Sequence, residues 1–208
     1  IGSSLVGSEM CIRDSNRDSQ HLMHRIPPGS EGAEIGVWAG STARQFLNCG
    51  ISRLELIDPW SVEPYKKSDE YKSYDDYLEK YSRILNIEKK DEDFQKYYDE
   101  IYGQVKSTIG QDPRVTIHRM FSDEWFESKP EKVDWIYVDG DHGYQGCLRD
   151  LENALKVVKV GGMIMGDDYY WPGADWGKEG VTNAVDRFCK RNMFTKERHG
   201  QTQYIINV

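Results

Sequence analysis

Four carboxylates and an imidazole close two successive apolar runs between Val133 and Tyr170. The first run, Val133 to Val138, reads as a buried parallel strand and ends in Asp139, Asp141 and His142. The second, Met163 to Met165, ends in Asp167 and Asp168. Between them Leu148, Leu151, Leu155 and Val158 recur at three- and four-residue spacing, as on one face of a helix, and Gly161-Gly162 are expected to stop it. In a strand–helix–strand unit, acids at both strand ends come to one edge of the sheet, where such folds do chemistry. Clustered carboxylates repel one another unless a cation sits among them. Oxygen ligands favour a hard ion such as Mg²⁺ over zinc. Taken singly, each Asp is also an ordinary turn former or helix cap; two acid clusters closing successive strands favour function.

The elements that must position this cluster begin upstream. Residues 33–37 read as a strand, followed by a loop from Gly36 to Gly40 and a helix from Ser41 with Ala43, Phe46 and Leu47 inward. Such a loop lets backbone approach a ligand, and the helix start favours anionic groups. The next strand, Arg53 to Ile57, ends in Asp58, about 20 residues beyond the loop, where nucleotide-binding sheets place the acid that binds ribose hydroxyls. Residues 61–110 are rich in tyrosine and in charge of both signs. Tyr77, Tyr81 and Ile84, then Phe94, Tyr98, Ile101 and Val105, predict two helices over one side of the sheet, either a wall of an acceptor site or a solvated outer layer. Asp112-Pro113 is expected to end that segment. Arg114 to His118 predicts a strand with His118 structural, and Ser122-Asp123 a cap for a short helix over 124–128. Tyr169 to Gly173 form an aromatic loop beside the acids, Val181 to Arg191 a helix, and residues 193–196 and 203–208 a hairpin around His199-Gly200.

Length and composition narrow the classes. A chain of 208 residues with 38% hydrophobic content suits one α/β domain. A net charge of −8 argues against a nucleic-acid partner, and no apolar run approaches the roughly 20 residues that span a bilayer, so no membrane role is expected. Four separated cysteines indicate neither zinc nor a disulfide framework; a reducing, cytoplasmic setting is the expectation. His21 and His24 read as solvated. Residues 1–15, IGSSLVGSEMCIRDS, lack any period and resemble translated sequencing-adaptor readthrough of metagenomic assemblies; 16–31 read as a linker. The predicted fold class is α/β, a Rossmann-like doubly wound sheet, mostly parallel with a C-terminal antiparallel hairpin.

That order of elements resembles the class I S-adenosylmethionine-dependent methyltransferases, in particular the branch holding the macrocin-type sugar O-methyltransferases. The stretches that carry the likeness are EIGVWAGSTA and DWIYVDGDHGYQGCLRDLENALKVVKVGGMIMGDDY. It spans residues 32–208, with 61–110 as a helical insertion. The resemblance implies S-adenosylmethionine as cofactor, approached by Glu34, Gly36 and Gly40 at its methionine end, Asp58 at the ribose and Ser122 at the adenine edge, with Asp139 beside it. It implies Asp139, Asp167 and Asp168 as ligands of a divalent cation, Mg²⁺ by chemistry, and Asp141 as general base; His142 is a second candidate to take the proton. The acceptor would be a small molecule or sugar hydroxyl; a homo-oligomer is compatible with the fold. His142 departs from the macrocin-type sequences and matches a broader DGxHxY form, and Trp38 stands within a loop usually richer in glycine. Two other readings fit the residues: a nucleotide-sugar transferase holding Mg²⁺ through Asp-x-Asp, or a non-catalytic Rossmann-like binding protein.

Overall fold

The computed structural model describes residues 21–170 and 180–208, so residues 1–20 and Trp171, Pro172 and Gly173 of the aromatic loop lie outside the described residues. Seven strands form one sheet: β1 Glu31–Ile35, β2 Arg53–Ile57, β3 Val115–His118, β4 Val133–Val138, β5 Val158–Gly166, β6 Lys196–His199 and β7 Gln203–Asn207. Their order is β3-β2-β1-β4-β5-β7-β6. The first five are parallel, and β7 runs antiparallel between β5 and β6. Around them lie α1 Ser41–Asn48, α2 Tyr74–Leu85, α3 Asp91–Ser107, α4 Ser122–Glu127, α5 Tyr144–Val157 and α6 Gly180–Asn192.

The alternation of β4 shows why the sheet is covered on both faces. Trp135 and Tyr137 pack with Phe46, Trp60, Tyr77, Phe94 and Val105 from α1, α2, α3 and the β2 loop. Ile136 and Val138 face the other way, against Leu151 and Ala154 of α5 and Val185 and Phe188 of α6. Successive strand residues point to opposite faces, so a central strand between two helix layers must be apolar at every position, as this one nearly is. The chain builds outward from β1 to β3, then returns to lay β4 on the other side of β1. Open parallel sheets bind ligands at such a reversal, outside the carboxyl ends of the strands.

Several boundaries differ from the sequence reading. β1 begins at Glu31 and ends at Ile35, because Gly36 turns the chain at φ +84°. α5 stops at Val157, and Val158 already pairs with Val133; Gly161 and Gly162 lie inside β5, where Gly161 donates to and Gly162 accepts from Val208. β3 starts at Val115, Arg114 being drawn aside to Asp112 and the carbonyls of Leu47 and Ile51. In α2, Ile84 is exposed rather than inward, whereas Phe94, Tyr98, Ile101 and Val105 of α3 are all buried. α3 ends at Ser107, before the Asp112-Pro113 break, and a 3-10 turn spans Ile109–Gln111. α4 starts at Ser122 with Glu124 accepting from Phe121 N–H at 3.0 Å, so Ser122 is not its cap. The first hairpin strand, Lys196–His199, lies three residues later than expected, and the second begins at Gln203 as expected and ends one residue earlier, at Asn207. Among the described residues no helix is long and apolar enough to cross a membrane.

Candidate active site

The strand ends at the reversal are joined by backbone before any side chain is considered. Gly36 N–H donates to Ile57, and Asp139 N–H donates to Ile35 at 2.8 Å, so the loops after β1, β2 and β4 are tied together. A Cβ on Gly36 would lie 2.0 Å from the Asp139 carbonyl oxygen; with its positive φ, the position admits glycine alone. Gly40, the last glycine of the loop, is the left-handed residue before α1.

Asp58 braces this loop. Its Oδ2 accepts from Val37 and Trp38 N–H, both at 2.9 Å, and its Oδ1 accepts from Trp60 N–H at 2.6 Å. Trp38 has φ 43°, a left-handed backbone that a bulky residue holds only when its surroundings compel it. The Trp60 indole adds a bond to the Trp38 carbonyl. Burial raises the Asp58 carboxyl above its ordinary value despite these three backbone donors. Glu34, 1% exposed, lies below the loop with Oε2 unpartnered, and burial, then the nearness of Asp139 and Asp58, raises it well above a normal glutamate.

At the end of β4 the acids separate into different tasks. His142 Nε2 lies 3.3 Å from Asp139 Oδ1 and 3.3 Å from Asp168 Oδ2, and its Nδ1 is 3.7 Å from Glu70 Oε1. One donor atom from each of Asp139, His142 and Asp168 falls within 4.8 Å of the others. Burial pushes Asp139 up to about 7, with His142 pulling the other way. Burial alone would lower His142, but Asp168, Glu70 and Asp139 outweigh it and hold the imidazole well above its usual range. Acids thus face both nitrogens of the ring.

Asp167 lies beside this trio with both oxygens engaged by other partners. Its Oδ1 accepts from Asp168 N–H at 2.8 Å and from Thr202 Oγ, and Tyr137 OH lies 3.5 Å from its Oδ2. Asp168 itself takes a left-handed backbone, φ 59°. Asp141 is also occupied: its Oδ1 accepts from Ser68 Oγ at 2.6 Å and from Gly143 N–H at 2.9 Å. Its carboxylate sits on the first turn of α5, where a Cβ on Gly146 would lie 2.2 Å from Oδ2. Ser122 donates to Asp150 at 2.7 Å, and burial pushes that carboxyl up to about 7 against the pull of Ser122. His118 pairs with Glu55 at 2.6 Å, the structural role its alternation suggests.

Sequence reading missed Glu70, Asp150 and Thr202. Glu70 hides in a charged run that reads as solvated, and Asp150 in the polar half of an amphipathic period. The one available signal was Ser122, whose partner had to be found.

A parallel sheet reversing at β1/β4, a glycine loop at the reversal, acids on the neighbouring strand ends and a terminal antiparallel hairpin define a Rossmann-like class I methyltransferase. Residues 33–169 match the sequence profile of the family described as "Methyltransferase domain", methyltransferase family 24, and the chain belongs to that family. Its matched residues form a methyltransferase domain.

Among solved structures, the chain is similar to the O-methyltransferase NovP, at 16% identity and TM-score 0.55 over 94% of this chain and 78% of that one. It is similar to the O-methyltransferase TomG from Streptomyces achromogenes, determined in complex with S-adenosylmethionine, at 14% and 0.56 over 94% and 79%. Spermidine synthase from Thermotoga maritima shares the fold as well, at 13% and 0.55 over 96% and 60%. A curated relative, an uncharacterized protein of Acanthamoeba polyphaga mimivirus, is 40% identical over 43 residues, 21% of this chain and 20% of that protein's length.

Proposed function

We propose that the protein is an O-methyltransferase acting on a small-molecule or sugar hydroxyl with a neighbouring oxygen, assisted by a divalent cation held by Asp139, His142 and Asp168. The observation that carries this reading is the convergence of those three side chains at the carboxyl end of β4, beside the glycine loop. The donor set fits a cation: at a bond length of about 2.1 Å, adjacent ligands of an octahedral ion lie about 3 Å apart, and His142 Nε2 is 3.3 Å from each carboxylate oxygen. Asp167 supports the set by holding the Asp168 backbone. The cation's charge would lower the acceptor hydroxyl's pKa and fix its direction.

S-adenosylmethionine carries the transferable methyl on a sulfonium, whose departure needs no acid. What remains for this chain is alignment and exclusion of water. The loop Gly36 to Gly40 offers backbone at close approach, braced by Asp58, and Ser122 sits where the β3 end meets α5, on the side assigned to adenine. Asp141 has its Oδ1 engaged by Ser68 and Gly143, and His142 as a ligand of the cation would have no Nε2 lone pair left to take a proton. The cation's charge would therefore carry the activation, with the acceptor's proton passing to solvent rather than to a side-chain base.

The test is transfer of labelled methyl from S-adenosylmethionine to catechol-type and sugar diols, with Mg²⁺ and after chelation. Turnover should require the cation, and Asp139→Asn should lower it at least 100-fold while cofactor binding persists. Full turnover in chelator would sink the cation assignment.

A further inference from the structure

The insertion over 61–110 does not merely cover the sheet; three successive residues of it touch the acidic edge. Ser68 Oγ donates to Asp141, Glu70 N–H donates back to Ser68 Oγ at 3.1 Å, and Asp69 Oδ1 sits where a Cβ on Gly143 would be 1.9 Å away. This strap delivers Glu70 to the far side of the His142 ring. The Glu70 side chain is 5% exposed, which for a carboxylate demands a partner.

The two ring nitrogens of His142 thus face different acids. Nε2 is turned to Asp139 and Asp168, and Nδ1 to Glu70. A ring nitrogen lends its lone pair to a cation only when unprotonated, so the proton of the neutral ring must sit on the other nitrogen and find an acceptor there. We propose that Glu70 is a positioning residue: it accepts the Nδ1 proton of His142 and so fixes the tautomer and ring direction that present Nε2 to the Asp139–Asp168 pair. A shift of about 1 Å would bring the 3.7 Å contact to hydrogen-bond length. The inference rests on the cation reading above and adds a consequence to it: the ligand set is complete only when the insertion is docked.

The experiment is Mn²⁺ titration of the full chain, in the wild type and in Glu70→Gln, Glu70→Leu and Asp139→Asn. S-adenosylmethionine affinity and thermal midpoint are read beside it. Gln keeps shape and an acceptor oxygen but loses the charge; Leu keeps bulk and loses both. Mn²⁺ affinity should fall about 10-fold in Glu70→Gln and toward 100-fold in Glu70→Leu, with cofactor affinity unchanged, because the contacts of Glu70 are to His142 and its own strap. Without added cation, at a pH where the ring is neutral, the imidazole ¹⁵N signals of His142 should report chiefly the Nδ1–H tautomer in the wild type and a mixture in Glu70→Leu. Wild-type Mn²⁺ affinity in both Glu70 variants overturns the positioning role alone; should Glu70→Leu not fold, the Gln result decides it. No Mn²⁺ binding by the wild type, or binding that Asp139→Asn leaves untouched, overturns the cation reading and this proposal with it.

Discussion

Ser68 donates a hydrogen bond to Asp141 across 2.6 Å, although the two residues are 73 positions apart. That bond joins the tyrosine-rich insertion to the turn after β4. A hydrogen bond to a carboxylate contributes about 1.5–3 kcal/mol. Ser68→Ala is expected to loosen residues 61–73 without unfolding the sheet. Hydrogen exchange of those amides should quicken and kcat should fall several-fold, with cofactor affinity unaltered. Exchange identical to the wild type would show that the strap is held by other contacts.

Asp58 links stability to cofactor binding. Three backbone N–H groups of the β1 and β2 loops end on its carboxylate, and one belongs to Trp38 in its left-handed conformation. In Asp58→Ala these donors lose their acceptor and the loop relaxes. We expect a stability loss of about 1–3 kcal/mol in denaturant titration and at least a 10-fold loss of S-adenosylmethionine affinity. A variant with wild-type affinity would show that the loop keeps its shape unaided and that Asp58 does not contact the ribose.

Asp150 sets a pH dependence on stability. It is 2% exposed in the middle of α5, and burial raises it from an ordinary 3.8 to about 7. A carboxyl raised on folding binds its proton more tightly in the folded chain. Its favourable contribution is therefore complete below about pH 4 and is lost as the pH climbs to about 7, on the order of 4 kcal/mol in all. Asp150→Asn carries no titrating proton, so its melting temperature relative to the wild type should rise by several degrees between pH 5 and pH 8. Parallel curves for the two proteins would refute the shifted carboxyl.

The elements most legible in the sequence are those whose burial leaves little choice. β2 and β4 have the boundaries their apolar runs mark, and α6 places Val181, Ala184, Val185 and Phe188 inward as their spacing requires. β5 was less legible. Gly161-Gly162 look like a stop, but hydrogen bonds to Val208 at the end of the chain carry the strand through them, and local sequence contains no trace of that partner.

The candidate site divides in the same way. Asp139, His142 and Asp168 come together because parallel strand ends share one edge, a consequence of element order that can be read without coordinates. Which acid faces inward is a matter of partners distant in the chain. Thr202 of the hairpin draws Asp167 away, Ser68 of the insertion engages Asp141, and the strap brings Glu70 to His142. The sequence by itself determined the sheet, the glycine loop and the edge where the acids gather, since periodicity and strand ends follow from local side-chain chemistry. Only the tertiary structure decided the partner of each carboxylate, because a charged group in a crowded, half-buried site takes its orientation from whichever hydrogen-bond donor the folded chain brings within reach.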